Sequence, residues 1–194
     1  MKNISVLVSG GGTNLQALID AQNNGIIKSG KINLVVSNNP DAFALQRAEK
    51  ADIKALVCNK KELGTDFEDT LIKILEDNNT DIIVLAGFMC ILSEKFTSHF
   101  ANRIINVHPS LIPSFCGKGF YGLRVHESAL EYGVKVTGAT VHFVNEIPDG
   151  GKIIMQKSVE IKDGDTPEIL QKRVMEEAEW KILPLSLEKV CSEN

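Results

Sequence analysis

Long apolar runs, paired cysteines and blocks of basic residues are all missing from this chain, and each absence removes a class of function. No stretch reaches the ~18 consecutive apolar residues of a membrane-crossing helix, so no membrane partner is expected. The formal net charge is -4 at pH 7 and no lysine or arginine cluster stands out, so no nucleic-acid partner is expected either. Cys58, Cys90, Cys116 and Cys191 are scattered without a C-x-x-C pair. They read as free thiols of a reducing cytosol rather than a disulfide framework. His99, His108, His126 and His142 show no metal-ligand spacing with the cysteines or with each other, so no metal is expected. The opening MKNISVLVSG runs straight into strand-like sequence with no apolar segment of signal-peptide length, which leads to the expectation of a cytoplasmic protein.

What is present suits one core. The chain has 194 residues and 43% hydrophobic content, and it shows no repeat, low-complexity tract or linker, so one domain over 1–194 is expected. Strand-like and helix-like segments alternate through the first half. ISVLVS (4–9) precedes a helical stretch from Thr13 to about Asn24. KINLVVS (31–37) precedes PDAFALQRAEKA, where Pro40 and Asp41 suit a first helical turn. A short strand near 53–57 leads to a helix over about 65–78, with Phe67, Leu71, Ile74 and Leu75 at helical spacing. DIIVLAGF (81–88) is continuously apolar, as a strand buried on both faces would be. A helix near 93–100 precedes IINVH (104–108). This is the pattern of a doubly wound, mostly parallel, Rossmann-like α/β sheet. The second half differs. A short helix near 125–132 is followed by two strands, KVTGATVHFV (135–144) and GKIIMQKSVEI (151–161), joined closely enough to be antiparallel neighbours. Thr166 as N-cap and Pro167 at the first helical position then open a long C-terminal helix, which Pro184 should interrupt or kink.

Several stretches carry chemistry. SGGGTN (9–14) lies between the first strand and first helix, where glycines let backbone amides approach an anion at a helix N-terminus. It is neither a P-loop nor G-x-G-x-x-G, and the second strand ends in SNNP rather than in an acid suited to a ribose. It fits a single phosphate held by Gly12, Thr13 and Asn14; it fits equally a tight turn with Thr13 as cap. In RIINVHPSLIPSF (103–115), Asn106 and His108 share one side of a strand end, and Pro109 stops the ladder. Asparagine can donate to an oxyanion and histidine titrates near neutrality, at the strand end where open α/β sheets carry their sites. Asp149 in IPDGG reads locally as a hairpin turn residue. His142 reads as a satisfied, partly buried histidine, and Glu179 as part of a solvated helix face. Lys118 and Arg124 on the loop GKGFYGLR could help hold an anion or be merely solvated, and the second reading is slightly favoured.

Together these stretches resemble the folate-dependent formyltransferases, and among them the phosphoribosylglycinamide formyltransferases. The resemblance runs in order through ISVLVSGGGTNLQALID, IIVLAGFMCILS, NVHPSLIPSF, GATVHFVNEIPDGG and AEWKILP, nearly the whole chain. It implies transfer of a formyl group from 10-formyltetrahydrofolate to the amine of glycinamide ribonucleotide in purine (IMP) biosynthesis, with no metal. It implies Asn106, His108 and Asp149 as the catalytic trio, with Asp149 favouring the charged form of His108. Gly11, Gly12, Thr13, Asn14 and Glu179 match substrate-binding positions. Met89, Cys90, Ile91, Leu92, Asn106 and Val144 match the folate site. Residues 1–108 would hold the substrate phosphate and 109–194 complete the folate site. The implied partners are the two small molecules, with the chain a monomer or weak homodimer. Cys90 stands where many members have arginine, and Gly64 where some have a basic residue. A methionyl-tRNA formyltransferase, a 10-formyltetrahydrofolate hydrolase and a non-catalytic anion-binding module are the rivals. The first needs basic surface and normally a second domain, the second usually carries an extra N-terminal domain, and the third leaves Asn106, His108 and Asp149 without a joint purpose.

Overall fold

The computed structural model describes residues 1–193. Its centre is a seven-stranded sheet of order β3-β2-β1-β4-β5-β6-β7. Strands β1 (Lys2–Val8), β2 (Gly30–Ser37), β3 (Lys54–Val57), β4 (Ile82–Leu85) and β5 (Ile104–His108) run parallel. β6 (Val136–Phe143) and β7 (Ile153–Glu160) extend the sheet antiparallel, as their short junction requires. The parallel order reverses at β1: β2 and β3 lie to one side and β4 and β5 to the other. A crevice opens at the carboxyl ends of strands at such a reversal.

Period-two alternation divides the core between the two faces of the sheet. Ile4, Val6 and Val8 of β1 and Ile105 and Val107 of β5 pack on one face. They meet α1 (Thr13–Asn23), α2 (Phe43–Lys50) and the C-terminal helices α7 (Pro167–Val174) and α8 (Trp180–Glu193). Leu7, Leu34, Ile83 and Ile104 pack on the other. There they meet Phe67, Leu71 and Leu75 of α4 (Phe67–Asp77), and Phe96 of α5 (Glu94–His99) with the following Phe100. All four side chains of β4 are buried, so the continuous apolar run does mark a strand covered on both faces.

The structure departs from the sequence expectation at several boundaries. Pro40 and Asp41 precede α2 rather than forming its first turn. The Asn39 side chain accepts from the Asp41 amide (3.1 Å), so the chain completes an Asx turn before the helix begins at Phe43. A short helix, α3 (Lys60–Leu63), capped by Asn59, and a 3-10 turn over Gly64–Asp66 precede α4, where the sequence suggested one helix from about 65. Thr166 and Pro167 cap and open α7 as expected. α8 continues through Pro184, although that residue has no amide for the Trp180 carbonyl four residues back. The irregularity falls before α8, in a π turn at Met175–Glu179. Such widened turns are frequent at functional sites, and this one presents Glu179.

Candidate active site

A cleft of about 530 Å³ opens at the reversal in strand order. Two neighbouring strand ends are tied there: the amide of Met89, after β4, donates to Ser9 Oγ, after β1 (2.8 Å). The segment Met89–Leu92 and Val144 line the cleft. Met89 and Ile91 are well exposed, 57% and 71%, although apolar, which suits a wall built to meet a flat apolar ligand. Cys90 is half-buried and accepts from Lys60 Nζ at 3.2 Å.

Asn106 and His108 stand on the cleft wall, on the same side of β5. The antiparallel register sets Asn106 opposite His142 and His108 opposite Thr140. Three ring and amide contacts fix the polarity of this patch. His142 Nδ1 lies 2.7 Å from the Phe143 carbonyl, which only accepts, so Nδ1 carries the proton. His142 Nε2 is then an acceptor, and Asn106 Nδ2 donates to it at 3.2 Å. The amide of Asn106 is thereby oriented, and its second N–H has no acceptor among the described residues. His108 Nε2 donates to the Phe115 carbonyl at 2.9 Å, leaving Nδ1 as its titrating atom.

Asp149 joins both rings. Its Oδ2 lies 3.6 Å from His108 Nδ1 and its Oδ1 3.6 Å from His142 Nε2; at that length these are electrostatic contacts rather than hydrogen bonds. Oδ2 also accepts from the Gly117 amide at 2.8 Å, so the carboxylate is held by the loop after β5 as well. Asp149 has φ 57, a conformation uncommon for a residue with a side chain, and strain of this kind gathers at functional sites. Gly151 follows because a Cβ there would lie 1.7 Å from the Phe143 carbonyl oxygen. Burial acts to raise the Asp149 carboxyl, but His142, the His108 charge and the Gly117 amide outweigh it, and the carboxyl sits below its ordinary value.

His108 differs from the sequence expectation. Asp149 does push its pKa upward, yet burial pushes it down more strongly and the net direction is down. With only 6% of its side chain exposed, the ring is biased toward its neutral form.

The phosphate-loop candidate is shaped for an anion on one count that sequence left open. Gly12, at φ 72 and ψ 34, occupies the N-cap of α1, and no side chain caps the helix. Thr13 is the first helical residue and its hydroxyl points to Met175 Sδ (3.8 Å), so the reading of Thr13 as a cap is wrong. The first-turn amides of α1 therefore lack a capping side chain. Asn14 lines the main cleft, Thr13 lines a neighbouring cavity, and Gly10 and Gly11 are exposed between strand and helix.

Glu179 overturns its sequence reading as a solvated side chain. It is 6% exposed, lines the cleft, and accepts from Asn14 Nδ2 at 2.7 Å. Burial pushes its carboxyl up to about 7, against the smaller opposing effect of Asn14. Asn14 Oδ1 is buried without a partner among the described residues.

Two histidines in this neighbourhood were missed by sequence reasoning. His142 looked like a satisfied strand histidine; aligning KVTGATVHFV against IINVH as antiparallel neighbours would have placed it beside Asn106. His126, on α6 (Leu123–Tyr132), is fully buried in the cleft wall with neither ring nitrogen hydrogen-bonded to a described residue. Burial and the charge of His108 push its pKa down to about 4. Nothing in its local sequence signals this. Lys118 lines the cleft, whereas Arg124 stacks on Tyr121 at 5.2 Å.

This fold and this arrangement define a class. Residues 2–187 match the formyl transferase family, and the chain belongs to that family. It is 44% identical over 95% of its length to the phosphoribosylglycinamide formyltransferase of Haemophilus influenzae, of which it covers 85%. It is also 44% identical to the trifunctional purine biosynthetic protein adenosine-3 of Homo sapiens, aligning 97% of this chain but spanning only 18% of that protein's length. The crystal structure of glycinamide ribonucleotide transformylase 1 from Symbiobacterium toebii superposes with a TM-score of 0.93 at 39% identity, covering 100% of this chain and 89% of the other.

Proposed function

We propose that this protein is a phosphoribosylglycinamide formyltransferase, moving the formyl group of 10-formyltetrahydrofolate to the amine of glycinamide ribonucleotide in purine biosynthesis. The observation that carries the reading is the meeting of Asn106, His108 and Asp149 on one wall of a cleft that also contains the Asn14–Glu179 pair. The apolar segment Met89–Leu92 receives the folate. The uncapped start of α1, with Gly11, Gly12, Thr13 and Asn14, receives the acceptor's phosphate, and Glu179 receives its polar body.

The chemistry is acyl transfer. The glycinamide nitrogen attacks the formyl carbon, and the carbonyl electrons move onto oxygen. The free N–H of Asn106 donates to that oxyanion, held in place by His142. The attacking nitrogen becomes positively charged and must lose a proton. A neutral His108 accepts at Nδ1, the atom facing Asp149, which stabilises the resulting imidazolium. The bond to folate N10 then breaks, N10 takes the proton back from the His108 imidazolium, and the products are formylglycinamide ribonucleotide and tetrahydrofolate. Lowering of the His108 pKa by burial suits a group that must start as a base. Holding both substrates in one cleft supplies the rest through proximity.

We read the chain as one formyltransferase domain, monomeric or weakly dimeric, acting in the cytoplasm. Four free cysteines agree with a reducing compartment. No helix among the described residues is long and apolar enough to cross a membrane. Incubation with 10-formyltetrahydrofolate and glycinamide ribonucleotide, tRNA or water alone tests the function. Product only with the ribonucleotide is expected. Equal folate turnover without an acceptor, or turnover only with charged tRNA, overturns the reading in favour of a rival.

A further inference from the structure

The Gly-rich loop contains no lysine or arginine, so the row of amides it offers has no full positive charge of its own. Its three successive carbonyls are nonetheless all occupied from one side. Asn39 Nδ2 donates to the Ser9 carbonyl (3.3 Å), the Ala44 amide to that of Gly10 (3.0 Å), and Arg47 Nε to that of Gly11 (2.8 Å). In a planar trans peptide the N–H points opposite to the C=O. Fixing those three carbonyls therefore turns the next three amides, of Gly10, Gly11 and Gly12, the other way. None of these amides donates to a protein acceptor among the described residues. A concave row of unsatisfied backbone N–H groups is an anion cradle.

The contact between loop and α2 is tight. A Cβ on Gly12 would lie 2.7 Å from Ala44 Cβ and 3.3 Å from Arg47 Cδ, so only glycine lets the loop approach. Arg47 has no ion-pair partner among the described residues. Its other hydrogen bond runs from Nη1 to the neutral Gln16 Oε1 (3.0 Å), its guanidinium lies over the Phe43 ring at 5.0 Å, and it lines the same cavity as Thr13. An unneutralised guanidinium thus stands directly behind the amide row.

We propose that Arg47 is a positioning residue for the acceptor's phosphate: it holds the Gly11 carbonyl so that the loop amides face the anion, and it supplies the charge that the loop lacks. The inference rests on the transferase reading above and goes beyond it by assigning phosphate selectivity to α2. A helix staple with no ligand role would show the same hydrogen bonds, so the test must separate the two.

The test compares the unaltered enzyme, Arg47→Gln and Arg47→Lys, each with glycinamide ribonucleotide and with the dephosphorylated glycinamide riboside. Turnover by the unaltered enzyme comes first; its absence would refute the function itself, before any variant is read. Arg47→Gln is expected to raise KM for the ribonucleotide on the order of tenfold. It should leave kcat and KM for formyl folate within about twofold, and leave kcat/KM for the riboside almost unchanged. Arg47→Lys, which keeps the charge but not the planar donor, should recover part of the loss. Equal losses with the two acceptors, or no loss with either, would overturn the proposal. If Arg47→Gln does not fold, the ribonucleotide-to-riboside ratio in Arg47→Lys decides by the same criterion.

Discussion

Glu179 gives a prediction in which stability and activity move in opposite directions. Its carboxyl is buried and pushed up to about 7, from an ordinary 4.5. A folded-state pKa above the unfolded one means that the native state binds the extra proton. The associated stability is full below pH 4.5 and is lost as pH rises through 7. A difference of this size corresponds to roughly 3 kcal/mol, and most of it disappears between pH 5 and pH 8.5. Glu179→Gln replaces the carboxyl by a neutral group of the same shape whose oxygen still accepts from Asn14 Nδ2. The variant should match the parent near pH 5 and exceed it by about 2–3 kcal/mol at pH 8.5, while KM for glycinamide ribonucleotide rises. Urea unfolding of both proteins at the two pH values measures this. His108 and His126, whose pKa values are lowered by burial, act in the opposite sense: they favour the native state at high pH, and that contribution is lost as pH falls below about 6.5. They are common to both proteins, so the difference isolates Glu179. Parallel pH profiles, or a variant less stable at pH 8.5, would refute the assignment of a strained buried carboxyl.

Three other perturbations address the remaining contacts. Asn106→Ala should lower kcat roughly 10²–10³-fold with the fold intact, as expected for removal of an oxyanion donor; a fully active variant rules that role out. Asp149→Asn removes the upward push on His108, so NMR titration should show its pKa moving further down from an already lowered position, with kcat falling because the imidazolium loses its partner; an unmoved titration means that Asp149 is a turn residue only. Cys90→Arg should fold normally, because the thiol is half-buried rather than core, and should tighten binding of glutamate-bearing folates; it brings a second cation against Lys60 Nζ, so the gain should be larger when Lys60 is also made alanine. Loss of folding in Cys90→Arg would show that the site cannot accept the larger side chain.

The parallel half of the sheet was legible because buried strands write continuous apolar runs, as Ile82–Leu85 does, and because helices between them keep their own period. Asn106 and His108 were legible as neighbours because strand side chains alternate. Their relation to Asp149 was not local: the aspartate looked like hairpin chemistry, and only its φ of 57 and its two histidine contacts distinguish it. Glu179 was misjudged because periodicity on a regular helix cannot foresee a π turn that rotates one residue into a cleft. His126 was missed because a buried histidine without partners leaves no trace in neighbouring residues. The direction of the His108 shift depended on a balance between desolvation and one nearby charge, and only the burial of the folded protein decides it.

On the proposed reading, this cleft moves a formyl group between two bound small molecules. The most direct measurement uses 10-formyltetrahydrofolate labelled with carbon-13 in the formyl group, with glycinamide ribonucleotide as acceptor, followed by mass spectrometry and carbon NMR. The label should appear on the glycinamide nitrogen in proportion to tetrahydrofolate formed, and both should cease together in Asn106→Ala/His108→Ala. Label recovered as free formate, or transfer that persists in the double variant, would contradict it.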